Sequence, residues 1–215
     1  MSTETAMAIK SYQNQAEALV KNYLLADPFI PYTSVLGGIF ACKVHTGIVT
    51  LRSSQLSIVG LGVSVGYFFA DLGMIVLHYP TLGGKEYVIH HSLSTIAVAY
   101  SMLSGEMQLY TYMCLISEVT TPEINMRWYL DTAGHKRSAA YLINGLAIFL
   151  AWLVARILLF LYMFRHIYLH YDQIIQMSLF GCLLVFLVPA VLFTMNVIWF
   201  GKIIKGLKKI LAKRQ

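Results

Sequence analysis

The sequence predicts an all-α fold, a polytopic bundle of about five to six transmembrane helices, from three observations. Of its 215 residues, 58% are hydrophobic and only 12% charged, whereas soluble domains run near half apolar and a quarter charged. The apolar residues gather into runs of about twenty, the length a helix needs to cross the hydrocarbon core. The polar stretches between those runs are short, which leaves no room for a soluble domain.

Residues 1–27 are polar to mildly amphipathic and suit either a surface helix or a frayed tail, and no cleavable signal peptide is visible in them. Residues 28–54 hold a weak first span, Phe29–Leu51. Pro28 and Pro31 open it, Gly37 and Gly38 loosen it, and Lys43 and His45 burden it. A central lysine costs roughly 2.5–3.5 kcal/mol on insertion scales. Residues 55–201 carry the main bundle. Its first span, Gln55–Tyr79, has Gly60, Gly62 and Gly66 as small surfaces for close helix approach, and Asp71 and His78 seven residues apart on one face. After the Pro80–Gly84 turn comes Glu86–Leu103, then a hairpin at Ser104–Glu106 and a short span over Met107–Val119. Residues 120–130, with Pro122, charges and aromatics, read as a helix break at the membrane boundary. Ala139–Phe164 is the fifth span, followed by an interfacial loop over Arg165–Asp172. Ile174–Phe200 is the last, kinked at Pro189.

The net charge of +6 is concentrated in residues 202–215, with Lys202, Lys205, Lys208, Lys209, Lys213 and Arg214. Directly after a hydrophobic span this reads as a cytosolic anchor against anionic headgroups, and not as a nucleic-acid surface. With that tail cytosolic, Lys85 and the Arg127/Lys136/Arg137 loop fall on the same side, and the Ser104–Glu106 hairpin on the other. Cys42, Cys114 and Cys182 sit in apolar runs without metal spacing, and read as small buried apolar residues. His166 and His170 stand four apart with no third ligand nearby, so no metal site is expected.

The candidate chemistry centres on His90 and His91. Ser94 and Thr95 follow one helical turn after each, and the two imidazoles point about 100° apart, so a shared cavity must be broad. Ionisable groups within a membrane are costly and face protein or water, which makes them functional candidates. Asp71 and Glu118 are candidate orienting groups for the histidines. For Arg156, one turn from Trp152, an ion pair with Asp71 or Glu118 is expected ahead of the alternative, a cation–π contact with Trp152. Arg127 and Arg156 could meet a phosphate or carboxylate, and His78, Ser94, Thr95 and Asn144 complete the polar set. Phe68, Phe69, Tyr100 and Met102 are expected to line a groove beside it. Trp128, Tyr129, Trp152 and Trp199 read as packing or interface residues.

Three stretches, GYFFADLGMIVLHYP, EYVIHHSLSTIAVAY and LISEVTTPEINMRWYLD, resemble the TLC domain, shared by translocation-associated proteins, ceramide synthases and less characterised lipid-related proteins. The sequence is most similar to the small TLC-domain-only membrane proteins of plants and animals, through a Glu-x-x-x-Pro-x-x-Asn-x-Arg-Trp pattern matched by Glu118, Pro122, Asn125, Arg127 and Trp128. The similarity runs from about Gly60 to Gly206. It implies a TLC-like bundle, the endoplasmic reticulum and a role in lipid homeostasis. It also implies a longer N-terminal half than this chain carries, by about one helix and its loop, which would put the N-terminus on the opposite side and open one wall of the bundle. Ceramide synthases follow the histidine pair with two aspartates three apart on the next helix, and here that helix offers Glu118 alone.

Two functional readings follow. In the first the cavity binds acyl lipid without turnover, with membrane lipids as partners and no cofactor. In the second a histidine acts as general base or nucleophile in acyl transfer from acyl-CoA, with His90, His91, Asp71 and Glu118 as the catalytic set. A truncated, non-functional variant is a further alternative, and transport is disfavoured because only one helix break is visible.

Overall fold

The computed structural model describes residues 48–51, 53–81 and 83–212, and every element among them is helical. The polar N-terminal segment and nearly all of the weak first span, with Cys42, Lys43 and His45, lie outside the described residues, as do Lys213 and Arg214. Of that first span only a 3-10 turn, Val49–Leu51, is described.

Helix α1 spans Gln55–Leu77 and starts at a reciprocal serine cap. Ser54 Oγ accepts from Ser57 N (3.1 Å) and Ser57 Oγ accepts from Ser54 N (2.8 Å), so two of the helix's orphan donors are satisfied. Helix α2, Lys85–Ser104, packs along α1 and ends at Gly105, whose φ of 77° is the left-handed conformation glycine adopts without penalty. Helix α3, Gln108–Ile116, tightens into a 3-10 turn at Ser117–Thr120 and continues as α4, Thr121–Thr132. The expected break at residues 120–130 is thus a 3-10 turn just ahead of Pro122. Pro122 falls in the first turn of α4, where its absent N–H would be unpaired anyway.

Helix α5 runs over Ala139–Leu169, 31 residues, with a π-helical stretch at Leu153–Leu158. It absorbs most of the interfacial loop expected at Arg165–Asp172, because Ile167 continues the buried stripe of Phe160 and Met163. The turn comes at His170, before the short α6, Tyr171–Ile174. Helix α7, Leu179–Ala212, is 34 residues long and passes through Pro189. It also continues through Lys202, Lys205, Lys208 and Lys209, so the basic segment is helical as far as it is described; lysine, leucine and isoleucine carry no helix-breaking cost.

Helices α1, α5 and α7 are each long and apolar enough to cross a membrane, and make this an integral membrane protein. Helix α2 has the length, but its histidines and hydroxyls make it less apolar, and they are turned inward. Leu77, Leu103 and Leu179 are among the large apolar residues left on the outer surface, as a bundle in lipid requires. One core cluster, with Tyr110, Phe160, Met163 and Val185, joins α3, α5 and α7; another, with Leu61, Phe68, Val98 and Tyr112, joins α1, α2 and α3. Of the three α1 glycines, Gly60 serves the close approach most directly: a Cβ there would stand 2.8 Å from the Tyr112 hydroxyl. Gly66 has no neighbour within 4 Å of that position, so close packing does not explain it.

The antiparallel course gives the bundle two polar ends. At one, Glu106 accepts from Tyr100 and from both the backbone N–H (3.1 Å) and hydroxyl (2.8 Å) of Ser178, and the Ser178 hydroxyl accepts from Gly181 N (3.1 Å), capping α7. Nearby, Ser57 donates to Gln108 (2.6 Å) and Val49 N donates to Gln173 (3.0 Å). Burial pushes the Glu106 carboxyl up, but the bonds from Tyr100 and Ser178 outweigh it and hold the group below its ordinary value. The other end gathers the His78–Thr81 turn, the start of α2, helix α4 and the lysines of α7.

Candidate functional site

At that second end α1, α2, α4, α5 and α7 enclose a cavity of about 540 Å³. Asp71, His90, His91, Glu118, Arg127 and Arg156 all line it. They come from five different elements, each of which supplies one or two polar side chains on its inward face.

Glu118 is the hub. It sits in the 3-10 turn between α3 and α4, where the tighter winding carries its side chain inward. One oxygen meets His90 Nε2 at 3.4 Å; the other accepts from Arg156 Nη2 (3.3 Å) and from the Thr121 hydroxyl (3.1 Å). Arg156 lies in the π-helical stretch of α5, a distortion that re-aims side chains. Its guanidinium is fully engaged: Nε donates to Thr120 Oγ1 (2.8 Å), Nη1 donates to Asn196 Oδ1 (3.1 Å), and the plane lies 4.4 Å from the Trp152 ring centroid. Of the two carboxylates that could pair with Arg156, Glu118 does so. The pair is buried, with side-chain exposures of 3% and 12%, so each charge depends on the other.

The second pair joins α1 to α2. His91 Nε2 contacts Asp71 Oδ2, and His91 Nδ1 faces the Tyr87 carbonyl at 3.0 Å. A carbonyl only accepts, so Nδ1 is the donor to Tyr87, and one proton between Nε2 and the Asp71 carboxyl makes the other contact. Both ring nitrogens of His91 are thus engaged. His90 differs: it is buried at 4% exposure, and its Nδ1 has no hydrogen-bond partner. The two imidazoles meet edge to face, centroids 5.1 Å apart.

Four predicted residues lie elsewhere. His78 is exposed at the C-terminal end of α1. Ser94 lines a small apolar cleft between α2, α3 and α7, which Glu118 also touches. The Thr95 hydroxyl donates to the His91 carbonyl (2.6 Å), a local helix bond that occupies it. Asn144 donates to the Glu123 carbonyl (2.9 Å) and ties α5 to α4. The expected groove of Phe68, Phe69, Tyr100 and Met102 does not form: Phe68 is buried in the core, Phe69 is 60% exposed, and Tyr100 binds Glu106 at the opposite end. Helical periodicity relates residues along one helix only, so it cannot say which faces of separate helices meet.

The cavity also holds residues that the sequence reading left as packing or overlooked. Trp199 stacks on Tyr87 (5.4 Å) and meets His90 edge-on (5.8 Å), and Lys202 and Ile203 follow it on the same face of α7. The signal was present: Tyr87 precedes His90 and His91 by three and four residues, and Trp199, Lys202 and Ile203 keep i, i+3, i+4 spacing. Trp152 is a buried packing residue as expected, and also forms cavity wall. His166 and His170 stack at 4.1 Å near the other end, and among the described residues no three potential ligands converge as a metal site would need.

Comparisons with known proteins agree with this architecture. The TLC domain family matches residues 28–205. TLC domain-containing protein 4 of Homo sapiens is 28% identical over 161 residues, covering 74% of this chain and 61% of the human protein. TLC domain-containing protein 4-B of Xenopus laevis is 28% identical over 72% of this chain and 60% of its own length. Topoisomerase I damage affected protein 4 of Saccharomyces cerevisiae is 27% identical over 78% of this chain and 61% of its length. The chain therefore spans about three-fifths of these relatives. No solved structure matches it. With most of its length covered by the family match, the chain belongs to the TLC-domain family, a family linked to membrane lipid handling.

Proposed function

We propose that this protein is a multi-pass membrane protein of lipid homeostasis, resident in the endoplasmic reticulum, that holds an acyl lipid in its polar cavity. The headgroup sits among His90, His91, Asp71 and Glu118. One observation carries the reading: two histidine–carboxylate pairs, from separate elements, line one cavity of about 540 Å³ within an apolar bundle. Membrane hydrogen bonds contribute roughly 0.6–2 kcal/mol each. Helix fastening alone explains one such bond more readily than a cluster around a void. Binding without turnover is favoured by His91, whose two nitrogens are both engaged, and by Glu118, which Arg156 occupies. A cytosolic C-terminus agrees with charge placement: Lys85, Arg127, Lys136, Arg137 and the α7 lysines share one end of the bundle, and Arg165 lies at the other.

A second reading, acyl transfer from acyl-CoA, rests on His90. Its Nδ1 is buried without a partner, while Nε2 faces Glu118, which could take a proton. One experiment separates the two. The purified full chain is incubated with palmitoyl-CoA, and both intact mass and co-purified lipid are measured. The binding reading expects lipid retained by wild type and lost in a His90→Ala/His91→Ala variant that still unfolds cooperatively, with no change in protein mass and no release of CoA. An adduct of one acyl group, or steady release of CoA, overturns it in favour of transfer.

A further inference from the structure

The cavity's charges do not cancel. Arg156 is neutralised by Glu118, and Asp71 is engaged by His91. Two further cations line the same cavity, Arg127 from α4 and Lys202 from α7, and neither forms an ion pair among the described residues. Arg127 is held in place all the same. Its guanidinium carbon lies 4.4 Å from the Tyr141 ring centroid. A Cβ at Gly145 would meet Arg127 Nη1 at 3.1 Å and Leu207 at 4.0 Å, so the absence of a side chain there lets the guanidinium settle between α5 and α7. Glu123, one turn earlier on α4, stands where a helix would offer Arg127 an i, i+4 partner, yet the two are not paired. A planar five-donor fork and a mobile ammonium lining one cavity suit an oxyanion with several acceptor oxygens.

We propose that Arg127 and Lys202 form a phosphate-binding subsite at the mouth of the cavity, taking the phosphate of a lipid headgroup whose remaining polar part reaches the histidine pairs. This rests on the lipid-handling reading and adds the class of headgroup.

All three tryptophans of the chain, Trp128, Trp152 and Trp199, line this cavity, so intrinsic fluorescence reports on its occupancy. The full chain in a neutral maltoside detergent is titrated with dodecyl phosphate, with monododecanoyl glycerol and with inorganic phosphate. Dodecyl phosphate is expected to shift the emission saturably and to bind more tightly than the uncharged glycerol ester. Lys202→Gln and Arg127→Gln should each weaken it by about tenfold, the loss of one charge-assisted contact. Lys208→Gln, on the same helix but outside the cavity, should leave it unchanged. Inorganic phosphate binding as tightly as the amphiphile would support the subsite but make a free anion its ligand. If dodecyl phosphate binds no better than the glycerol ester, or Lys202→Gln matches Lys208→Gln, the phosphate subsite is overturned and the lipid cavity stands. If no amphiphile moves the emission, the lipid reading falls and this proposal with it.

Discussion

The two polar ends of the bundle use similar residues to opposite effect. At the hairpin end a carboxylate, a tyrosine and a serine, Glu106, Tyr100 and Ser178, bond to one another and to the first turn of α7. At the other end Asp71, Glu118, two histidines and three cations surround about 540 Å³ of open space. Polar groups at the first end complete the fold's hydrogen bonds. At the second, His90 Nδ1, Arg127 and Lys202 retain bonding capacity that no described residue uses. Unsatisfied capacity inside a membrane is costly. The contrast therefore separates residues whose bonds hold the bundle together from residues that the lipid-binding proposal gives to a ligand.

The largest effect belongs to the one cavity residue that does both. Replacing Glu118 by Gln leaves the Arg156 guanidinium buried without its counter-charge, and should cost about 3 kcal/mol or more in thermal unfolding followed in detergent. A loss below about 1 kcal/mol would mean that water already reaches Arg156. Next comes the hairpin end, where Glu106→Ala should cost about 1–2 kcal/mol through loss of its bonds to Tyr100 and to Ser178, the residue that caps α7. Lipid retained on purification should not change. Lost lipid with this variant would blur the division between the ends. Asp71→Asn is expected to do the reverse, with stability changing by less than about 1 kcal/mol, since the Asp71–His91 pair is partly exposed, while retained lipid falls several-fold. The smallest effect is on pH. Because the folded Glu106 carboxyl lies below its ordinary value, the unfolded chain binds that proton more readily. The margin of wild type over Glu106→Gln is thus full above the unfolded carboxyl's range near pH ~4.3 and shrinks as pH falls through the folded value. A margin that widens on acidification would contradict the hydrogen-bond account.

Much of this was legible in the sequence, and the division follows physical reach. Helix α1 was readable almost to the residue because a long apolar run follows a short polar stretch and ends in a proline turn. The histidine pair and the two acids stood out because charge in an apolar run is rare. Convergence was not legible: nothing local says that Glu118, in a 3-10 turn, meets both His90 and Arg156. The π-helical stretch that places Arg156 has no sequence signature either, since Leu153–Leu158 reads as ordinary apolar helix. Asn144, His78, Ser94 and Thr95 look as polar in sequence as Arg127 does. Only packing shows that Asn144 and Thr95 are occupied, that Ser94 faces an apolar cleft, and that His78 is turned outward.

The central claim is that costly polar groups from separate helices meet around a space that receives lipid. Photolabelling tests it most directly: membranes containing the full chain are supplied with a diazirine-bearing fatty acid, illuminated, and the labelled peptides mapped. The account predicts label concentrated on cavity residues such as Trp128, Ile148 and Trp199, and removed from them by Met74→Trp, which fills the cavity from α1. Label spread over outward residues such as Leu77, Leu103 and Leu179, and indifferent to Met74→Trp, would contradict it.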